Sequence, residues 1–391
     1  MSVRGVFSLI VPMSLLGDEQ TVGIRRLLLE RAGLLAIEAF PQKDDPQNRI
    51  FKEAKLATAV FVARSKPIGE PFSVITHPGR SIEEIMAAAK LTASDLAHLN
   101  SHNLAIPTCT QRDWEIASLL ISLPATRRLR DYCEAFQGEI NETTDGKRGF
   151  ISSDPGDGPL VLRGAAICLY VVREASQGEP MYLREDKYLK GKPDSIKAHH
   201  HQQRRIGWQE SSAQNNFRRI IAAAVPKNIF CNHKINYIPE SDSKVPLDFV
   251  LALLNSKLSD WFFRLQSTNA AVSHYQILDL PAPTFTEGEV PLREYKCLMD
   301  SEQWEQCVEN LCASSAGGGV MDTSTMQAVA DMSRRVQTIE AKRRLKNRSE
   351  RSHLAPDSQV IQDAIDTVLF SCFGLSSEDG VYIGGRLAEM L

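Results

Sequence analysis

The sequence predicts an α/β segment, then a β-rich α+β segment with helices, and then a helical C-terminal region. Two apolar runs of strand length follow an amphipathic helix within the first 66 residues. Between about residues 138 and 245, short apolar runs alternate with glycine, proline and asparagine, which is typical of irregular β structure. Helical spacing dominates after about residue 289. We therefore predict an α/β plus α+β chain with domains at 1–66, 67–288 and 289–391.

The first segment is predicted to form a strand, a helix, a second strand, a loop and a third strand. "GVFSLIVP" is a short apolar run that ends in proline, so we expect a buried strand. "DEQTVGIRRLLLERAG" begins with acids and ends in glycine, as an amphipathic helix does. These elements make only the back half of an α/β sheet, so we expect further strands from elsewhere, including a partner chain. The prolines and glycine of "KPIGEPF" (66–72) predict a linker.

Two later stretches predict long helices. In "FVLALLNSKLSDWFF" (249–263) the apolar residues form one helical stripe that Asn255 borders. We expect this helix to run unbroken, with Asn255 hydrogen-bonded to backbone of the β-rich domain. A second long helix is predicted from about Thr323 to Arg351. "DPGDG" (154–158) is predicted to be a turn.

Composition and motifs narrow the function classes. The formal net charge of −3 over 391 residues argues against electrostatic nucleic-acid binding by the whole chain. Eight cysteines show no CxxC spacing, so we predict no metal site, and we expect His199-His200-His201 to lie in a solvated loop. Two Asp…Glu-x-Lys patterns, ending at Lys55 and Lys342, would suit a magnesium nuclease but are short enough to arise by chance. No signal pattern and no apolar run of about 18 residues occur, so we expect a cytoplasmic protein without membrane contact.

The strongest electrostatic signal lies between Lys197 and Tyr237. Seven lysines and arginines face one acid there, and asparagines are interleaved. Basic side chains bind phosphates and asparagine can pair with adenine, although a solvated surface would show the same composition. The candidate DNA contacts are Arg204, Arg205, Asn215, Arg218, Arg219, Lys227, Asn232, Lys234 and Asn236.

A second basic run covers 333–351. Its candidate phosphate contacts are Lys342, Arg343 and Arg344, and the alternative is an exposed helix face. Lys257, in the interrupted helix, is a further candidate for phosphate, or else part of the scaffold.

Several separated stretches resemble one family. "GVFSLIVPMSLLGDEQTVGIRRLLLERAGLLAIEAF" with "RIFKEAKLATAVFVARS" resembles the part after the catalytic motif of TaqI-like adenine-specific DNA N6-methyltransferases and related type IIG restriction-modification enzymes. "FRRIIAAAVPKNIFCNHKINYI" and the interrupted helix resemble their target-recognition domain, and "IQDAIDTVLFSCFGLSSED" their helical tail. The resemblance implies the back half of a Rossmann-like methyltransferase sheet, a target-recognition domain that binds double-stranded DNA, and a C-terminal helical region. "LVLRG" resembles the start of the recognition domain and makes Arg163 a candidate contact.

The resemblance also implies what this chain lacks. The family binds S-adenosylmethionine through a glycine-containing loop and positions adenine with an (Asn/Asp/Ser)-Pro-Pro-(Tyr/Phe) motif, whereas this chain contains no Pro-Pro dipeptide. We therefore expect no cofactor bound by this chain, S-adenosylmethionine in the complete enzyme, and a complementary chain that carries the catalytic motifs. The alternative is a non-enzymatic DNA-binding specificity subunit.

One catalytic contribution is expected from the first segment. The family stacks the flipped adenine on an aromatic ring. The resemblance suggests Phe51 for this ring, with Phe40 as the second choice. The alternative is that Phe51 is a core residue that caps the sheet.

Overall fold

The computed structural model describes residues 5–53, 55–65, 69–100, 102–192, 196–288, 292–314 and 317–389. The chain forms two compact units. The first unit comprises Met1–Leu123 and Phe262–Asn269, and the second comprises Pro124–Trp261 and Ala270–Leu391.

The first unit is built on a mixed five-stranded sheet in the order β1 (Val6–Pro12), β3 (Thr58–Arg64), β2 (Gly33–Phe40), β4 (Phe72–Thr76) and β5 (Ala87–Leu91). Only β2 and β4 pair in parallel; the other neighbours are antiparallel. Its elements are β1 (Val6–Pro12), α1 (Val22–Arg31), β2 (Gly33–Phe40), β3 (Thr58–Arg64), β4 (Phe72–Thr76), β5 (Ala87–Leu91), α2 (Ala93–Leu99) and α3 (Gln111–Ser122).

The sheet continues beyond the predicted boundary at residue 66. Phe72 and Val74 are buried at alternate positions of β4, and this alternation lets β4 extend the sheet beside β2. The compact units therefore do not follow the predicted limits at 66 and 288. Of the predicted linker, 66–68 lie outside the described residues and Phe72 already begins a strand.

Strand β1 forms as predicted but is not buried. It lies at the edge of the sheet and pairs with β3. Val6, Leu9 and Ile10 are exposed although the run is apolar. Helix α1 exposes Ile24 and Leu27 in the same unit. The expectation of a buried strand was wrong because, in the described part of the chain, no strand pairs with the outer edge of β1.

The second unit combines small sheets with a helical C-terminal part. One sheet has the order β10 (Tyr170–Val171), β13 (Ala222–Val225), β12 (Arg205–Gln209), β15 (Ile235–Pro239) and β7 (Phe136–Gln137). Another has the order β14 (Phe230–Cys231), β9 (Leu160–Leu162), β11 (Met181–Leu183) and β8 (Ile151–Ser152). Every residue of β12 and β15 is buried, so these two strands form the centre of the first of these sheets. No helix among the described residues is both long and apolar enough to span a bilayer.

The strands of the second unit are β6 (Arg127–Arg128), β7 (Phe136–Gln137), β8 (Ile151–Ser152), β9 (Leu160–Leu162), β10 (Tyr170–Val171), β11 (Met181–Leu183), β12 (Arg205–Gln209), β13 (Ala222–Val225), β14 (Phe230–Cys231), β15 (Ile235–Pro239), β16 (Pro281–Ala282), β17 (Thr284–Thr286) and β18 (Val320–Asp322). The helices that begin in it are α4 (Glu142–Lys147), α5 (Glu185–Leu189), α6 (Leu247–Leu254), α7 (Lys257–Gln266), α8 (His274–Leu278), α9 (Leu292–Asp300), α10 (Trp304–Ser314), α11 (Thr323–Lys342), α12 (Pro356–Cys372) and α13 (Ser377–Glu389).

The apolar stretch that contains Asn-Ser-Lys forms two helices, not one. Helix α6 ends at Leu254 and α7 begins at Lys257. Ser256 Oγ accepts a hydrogen bond from the Ser259 N–H at 3.1 Å, which is the contact of an N-cap and starts a new helix. The prediction of an unbroken helix was therefore wrong. The prediction that Asn255 bonds to backbone is confirmed, because its side chain pairs with both polar groups of Ala222.

Helix α11 ends earlier than predicted. It stops at Lys342 instead of Arg351. Asn347 Oδ1 then accepts hydrogen bonds from the Ser349 and Glu350 N–H groups and starts a short 3₁₀ turn at Arg348–Ser352. An asparagine side chain that bonds nearby backbone competes with helix continuation. The last nine residues of the predicted helix, 343–351, consequently form a basic segment outside the α-helix. "DPGDG" forms the predicted turn, with the Gly156 N–H bonded to Asp154 Oδ1.

Candidate nucleic-acid interface

A polar cleft of about 470 Å³ lies in the second unit. Segments that are far apart in the sequence supply its walls, among them the start of α4, the end of β9 and the loop after β12. We call it the polar cleft. The residues that line it are Glu142, Arg163, Gly164, Ala165, Gln209, Ser211, Ser212, Ala213, Asn216, Asn232, Lys234 and Arg351.

The lining of the polar cleft is basic on balance and rich in amides. Three cationic side chains face one carboxylate, and three amides and two hydroxyls complete the polar groups. Amides offer both donors and acceptors, whereas arginine and lysine only donate. The cleft can therefore attract an anion and also discriminate between patterns of donors and acceptors.

Glu142 is the centre of the hydrogen bonds in the cleft. Arg163 Nε lies 3.3 Å from each carboxylate oxygen of Glu142, and Asn232 Nδ2 donates to Oε1 of the same carboxylate. Arg163 is anchored further by its Nη1, which donates to Glu179 O at 3.0 Å. The carboxylate thus holds a guanidinium and an amide side by side at fixed positions.

The backbone around Asn232 and Gly164 shapes the floor. The Asn232 N–H donates to Leu162 O, and Asn232 Oδ1 accepts from the Lys234 N–H at 3.0 Å. A Cβ on Gly164 would lie 2.9 Å from Lys234 O, so only glycine fits this approach without a backbone shift. The Lys234 ammonium lies 3.3 Å from Glu210 Oε2 and is about half exposed.

The loop after β12 forms one side of the cleft and is braced by its own side chains. Asn216 Nδ2 donates to Ser212 Oγ at 2.9 Å, and the Asn216 N–H donates to Ala213 O. Ser212 Oγ in turn donates to Arg218 O. Arg351, which also lines the cleft, donates through Nη1 to Ala165 O at 3.2 Å.

Of the predicted DNA contacts, the structure brings Arg163, Asn232 and Lys234 together in the polar cleft. Asn215 is exposed beside the lining residue Asn216. A further three basic candidates are also exposed, namely Lys227, Lys342 and Arg344.

Four predicted contacts that do not line the polar cleft lie in the interior, which corrects the expectation of a basic surface. Arg205 is fully buried, with Nη1 2.6 Å from the equally buried Glu139 carboxylate. Arg218 and Arg219 are buried, and the Arg219 backbone N–H donates to Asp260. Asn236 is buried and donates to Val272 O. A group enclosed by the protein does not reach a phosphate or a base, so we assign these four residues to the scaffold. The same holds for Asn232, which is buried beneath the polar cleft and hydrogen-bonded through both polar atoms of its side chain.

Three further candidates are held by carboxylates. Arg204 Nη2 lies 3.0 Å from Asp248 Oδ1. Burial raises the pKa of Asp248, but hydrogen bonds from Gln337 and Arg334, together with Arg204, outweigh it and hold this pKa below its usual value. Lys257 Nζ lies 2.7 Å from Asp363 Oδ1. Arg343 pairs with Glu340 and Glu350.

The triple histidine is packed rather than solvated. It lies in a 3₁₀ helix at Ile196–Gln202, where His200 and His201 are buried. The His201 ring stacks on Phe230, and its Nε2 lies 2.8 Å from Glu185 Oε1. Among the described residues, no group of three His, Cys, Asp or Glu side chains could hold a metal ion. Glu340, from one of the two nuclease-like patterns, is buried and accepts the Ala355 N–H.

The two candidate stacking rings lie in the first unit and differ in exposure. Phe51 is exposed in the loop between β2 and β3. Phe40 is buried at the end of β2, where its ring stacks on His77 at 4.8 Å. The Phe51 ring is therefore accessible from outside the protein, whereas the Phe40 ring is not. The alternative reading of Phe51 as a core residue was wrong, since its side chain is exposed.

Sequence reasoning missed Glu142 and Gln209. Glu142 is 21 residues from Arg163 and 90 residues from Asn232, so no local spacing links it to either residue. Gln209 is the last residue of a fully buried strand, and its Nε2 donates to Ile167 O. Neither position carries a pattern that would have signalled a polar cleft.

Comparison with known proteins gives a fold likeness only. No protein-family model matches the chain, and no curated protein matches it. The structure is similar to that of the type IIL restriction-modification enzyme MmeI, solved in complex with DNA, with a TM-score of 0.51 and 10% identity over 100% of this chain. The fold resembles half of a restriction-modification enzyme. The chain spans 50% of the MmeI chain.

A second solved structure, that of the type IIG restriction endonuclease BpuSI, matches with a TM-score of 0.33 and 14% identity. That match covers 95% of this chain and 48% of the other.

Proposed function

We propose that this chain recognises a specific sequence in double-stranded DNA as part of a site-specific adenine-N6 DNA methyltransferase of a restriction-modification system in the cytoplasm. The observation that carries the proposal is the polar cleft, in which Arg163, Asn232 and Glu142 converge. The alternative is a non-enzymatic DNA-binding specificity subunit that acts with a separate catalytic chain.

The side chains of the cleft are of the types that read base edges. In the major groove, arginine pairs with guanine, asparagine or glutamine pairs with adenine, and a carboxylate accepts from the cytosine amino group. Arg163 and Glu142 are partly exposed and supply two of these types 3.3 Å apart, whereas Asn232 is buried and helps to fix the Glu142 carboxylate. Because these groups are already fixed by the protein, binding a base edge costs little further side-chain entropy.

Phosphate contacts would come from the exposed basic residues. Lys227, Lys342 and Arg344 are exposed, and Lys234 and Arg351 line the polar cleft. Cations that neutralise phosphates release counterions, and they give affinity and orientation but no sequence information. The chain is acidic overall, so this attraction acts locally.

Methyl transfer in this proposal needs a catalytic half. The sequence contains no Pro-Pro dipeptide, and the resemblance places the S-adenosylmethionine loop and the adenine-positioning motif outside the stretches that match. This chain would select the site and would offer Phe51 as the ring that stacks on the flipped adenine. S-adenosylmethionine would bind the catalytic half.

The first unit offers an edge suited to that half. The strand β1 carries apolar residues on both faces, because Val6 and Ile10 alternate with Leu9, and all three are exposed. Strands that are apolar on both faces normally lie inside a larger sheet. We propose that the complementary chain adds strands beside β1 and covers Ile24 and Leu27 of α1.

The fold likeness to half of MmeI, a restriction-modification enzyme solved with DNA, supports this assignment. Adenine-N6 specificity rests on the resemblance of the sequence stretches to the TaqI-like and type IIG enzymes.

Selection from a duplex pool with a randomised centre tests the recognition proposal. Wild-type protein is expected to enrich a defined motif, and Arg163→Ala is expected to lose preference at one position of it. Lys187→Ala removes an exposed cation outside the cleft and serves as the matched control. Failure to enrich any motif would contradict the proposal.

A methyl-transfer assay distinguishes a part of a methyltransferase from a non-enzymatic specificity subunit. The chain alone is expected to give no calorimetric signal with S-adenosylmethionine. Adding a chain that carries the glycine loop and the Pro-Pro motif is expected to start transfer of labelled methyl to the selected duplex. If the added chain methylates the same site equally well without this one, the proposal is wrong. If Phe51→Ala also leaves transfer by the pair unchanged, the specificity-subunit alternative is favoured.

A further inference from the structure

An aromatic pair is formed by two residues that are close in sequence to residues of the polar cleft. The Phe217 ring lies parallel to His353, with centroids 4.2 Å apart and an interplanar angle of 16°. Phe217 directly follows the cleft residue Asn216, and His353 comes two residues after the cleft residue Arg351. The pair therefore joins two segments that each contribute a lining residue to the cleft.

Phe217 stays accessible although it is stacked. Its side chain is 43% exposed, and His353 is exposed as well. A single exposed phenylalanine is unremarkable by itself. Here the exposed ring directly follows a lining residue of a cleft that is basic on balance, and this setting points to a polyanion with flat, apolar bases as the neighbour.

Both members of the pair are held by rigid surroundings. On one side, Arg218 and Arg219 are buried directly after Phe217, and the Arg219 N–H donates to Asp260 at 2.8 Å. On the other side, Arg343 Nη1 donates to His353 O at 2.7 Å. His353 Nδ1 also lies 3.2 Å from Ser349 O. The Phe217 ring is thus held in a fixed orientation, which limits the conformational entropy that it loses when it binds a flat partner.

We infer that Phe217, backed by His353, is a stacking wedge that packs on a nucleobase at an opened step of the duplex bound in the polar cleft. Proteins use apolar side chains in this way to unstack and bend DNA. Stacking of a base on an aromatic ring tolerates any sequence, since every base has a π face. The inference rests on the proposed duplex binding and adds a residue that would deform the DNA rather than read it.

A tryptophan reporter tests the inference. In Phe217→Trp, the new indole would stack on a base, and its emission is expected to fall in proportion to bound duplex measured by anisotropy. Of the native tryptophans, Trp114, Trp208 and Trp261 are buried, so they contribute a constant background. Val360→Trp places an exposed indole on α12 as the matched control, and its emission is expected to stay unchanged.

A second variant covers the case in which the reporter disturbs the loop. Phe217→Leu keeps an apolar side chain but removes the ring, and it is expected to weaken duplex binding about ten-fold with an unchanged circular dichroism spectrum. If Phe217→Leu binds duplex with wild-type affinity, or if the emission of Phe217→Trp does not fall on duplex binding, the stacking role of Phe217 is wrong. Either result would leave the proposal of duplex binding intact. Absence of duplex binding by the wild type would overturn the wedge and the proposed function together.

Discussion

Asn255 and Ala222 are joined by a pair of hydrogen bonds that links the α6–α7 break to a strand. Asn255 Oδ1 accepts from the Ala222 N–H at 3.1 Å, and Asn255 Nδ2 donates to Ala222 O at 3.0 Å. Asn255 is almost completely buried, so water does not replace these contacts. The polar break inside an apolar stretch therefore serves to attach two helices to strand β13.

Replacing Asn255 with leucine should destabilise the protein strongly. The variant leaves both backbone groups of Ala222 buried without a partner, which should lower the free energy of unfolding by about 2–4 kcal/mol. Urea denaturation measures the change. Asn215→Leu is the matched control at an exposed site and should change stability by about 0.5 kcal/mol or less. Equal effects of the two variants would contradict the role of the pair.

Arg205→Met should lower the free energy of unfolding far more than Arg204→Met does. It would leave the buried Glu139 carboxylate without its cation, at a cost of about 3–5 kcal/mol. Arg204→Met removes a partly exposed partner of Asp248, which keeps Arg334 and Gln337, so about 1 kcal/mol is expected. Denaturation of both variants in parallel checks the order. A small effect at Arg205 would mean that this arginine is not enclosed.

The free energy of unfolding should decrease at acidic pH, partly because of His200. Burial lowers the pKa of His200, and the nearby Asp242 carboxylate only partly offsets this. In the unfolded chain the pKa is about 6.5, so the neutral folded form is fully favoured above that pH. Stability is then lost as the pH falls through about 6.5 toward the lower folded pKa. In thermal melts, His200→Gln should lose less stability than wild type between pH 7.5 and pH 5.5.

Lys234→Ala should reduce the salt dependence of duplex binding. If Lys234 neutralises one phosphate, the slope of log K against log salt should become shallower by about 0.9. Fluorescence anisotropy over a range of sodium chloride concentrations measures the slope. Lys187→Ala, at an exposed position outside the cleft, should keep the wild-type slope. An unchanged slope in Lys234→Ala would remove this lysine from the DNA contacts.

Local patterns predicted the elements whose formation depends on nearby residues. The helix α1, the strands β2 and β3 and the backbone contact of Asn255 follow from periodicity and from the cost of burying an unpaired amide. Three of the predicted DNA contacts, Arg163, Asn232 and Lys234, lie together in the polar cleft. Their proximity could be expected only from the resemblance and the basic clustering.

Features that depend on distant residues escaped prediction. The sequence around Arg205 predicts a surface cation. Its buried partner Glu139 lies 66 residues away, so no local pattern indicates the ion pair. Glu142 joins the cleft only because the fold brings α4 to the end of β9. The strand β1 has the composition of a buried strand, but its exposure follows from its place at the edge of the sheet, which composition does not specify.

Site-directed cross-linking tests the placement of DNA in the polar cleft most directly. A photo-activated cross-linker would be attached to Ala213→Cys, in the cleft lining, and separately to Val360→Cys on α12. Wild-type protein controls for native cysteines, of which those with described side chains are buried except for the partly buried Cys312. With duplex bound, Ala213→Cys should cross-link to DNA and Val360→Cys should not. Duplex that binds without cross-linking at Ala213, or that cross-links equally at both positions, would contradict the assignment of the cleft as the DNA site.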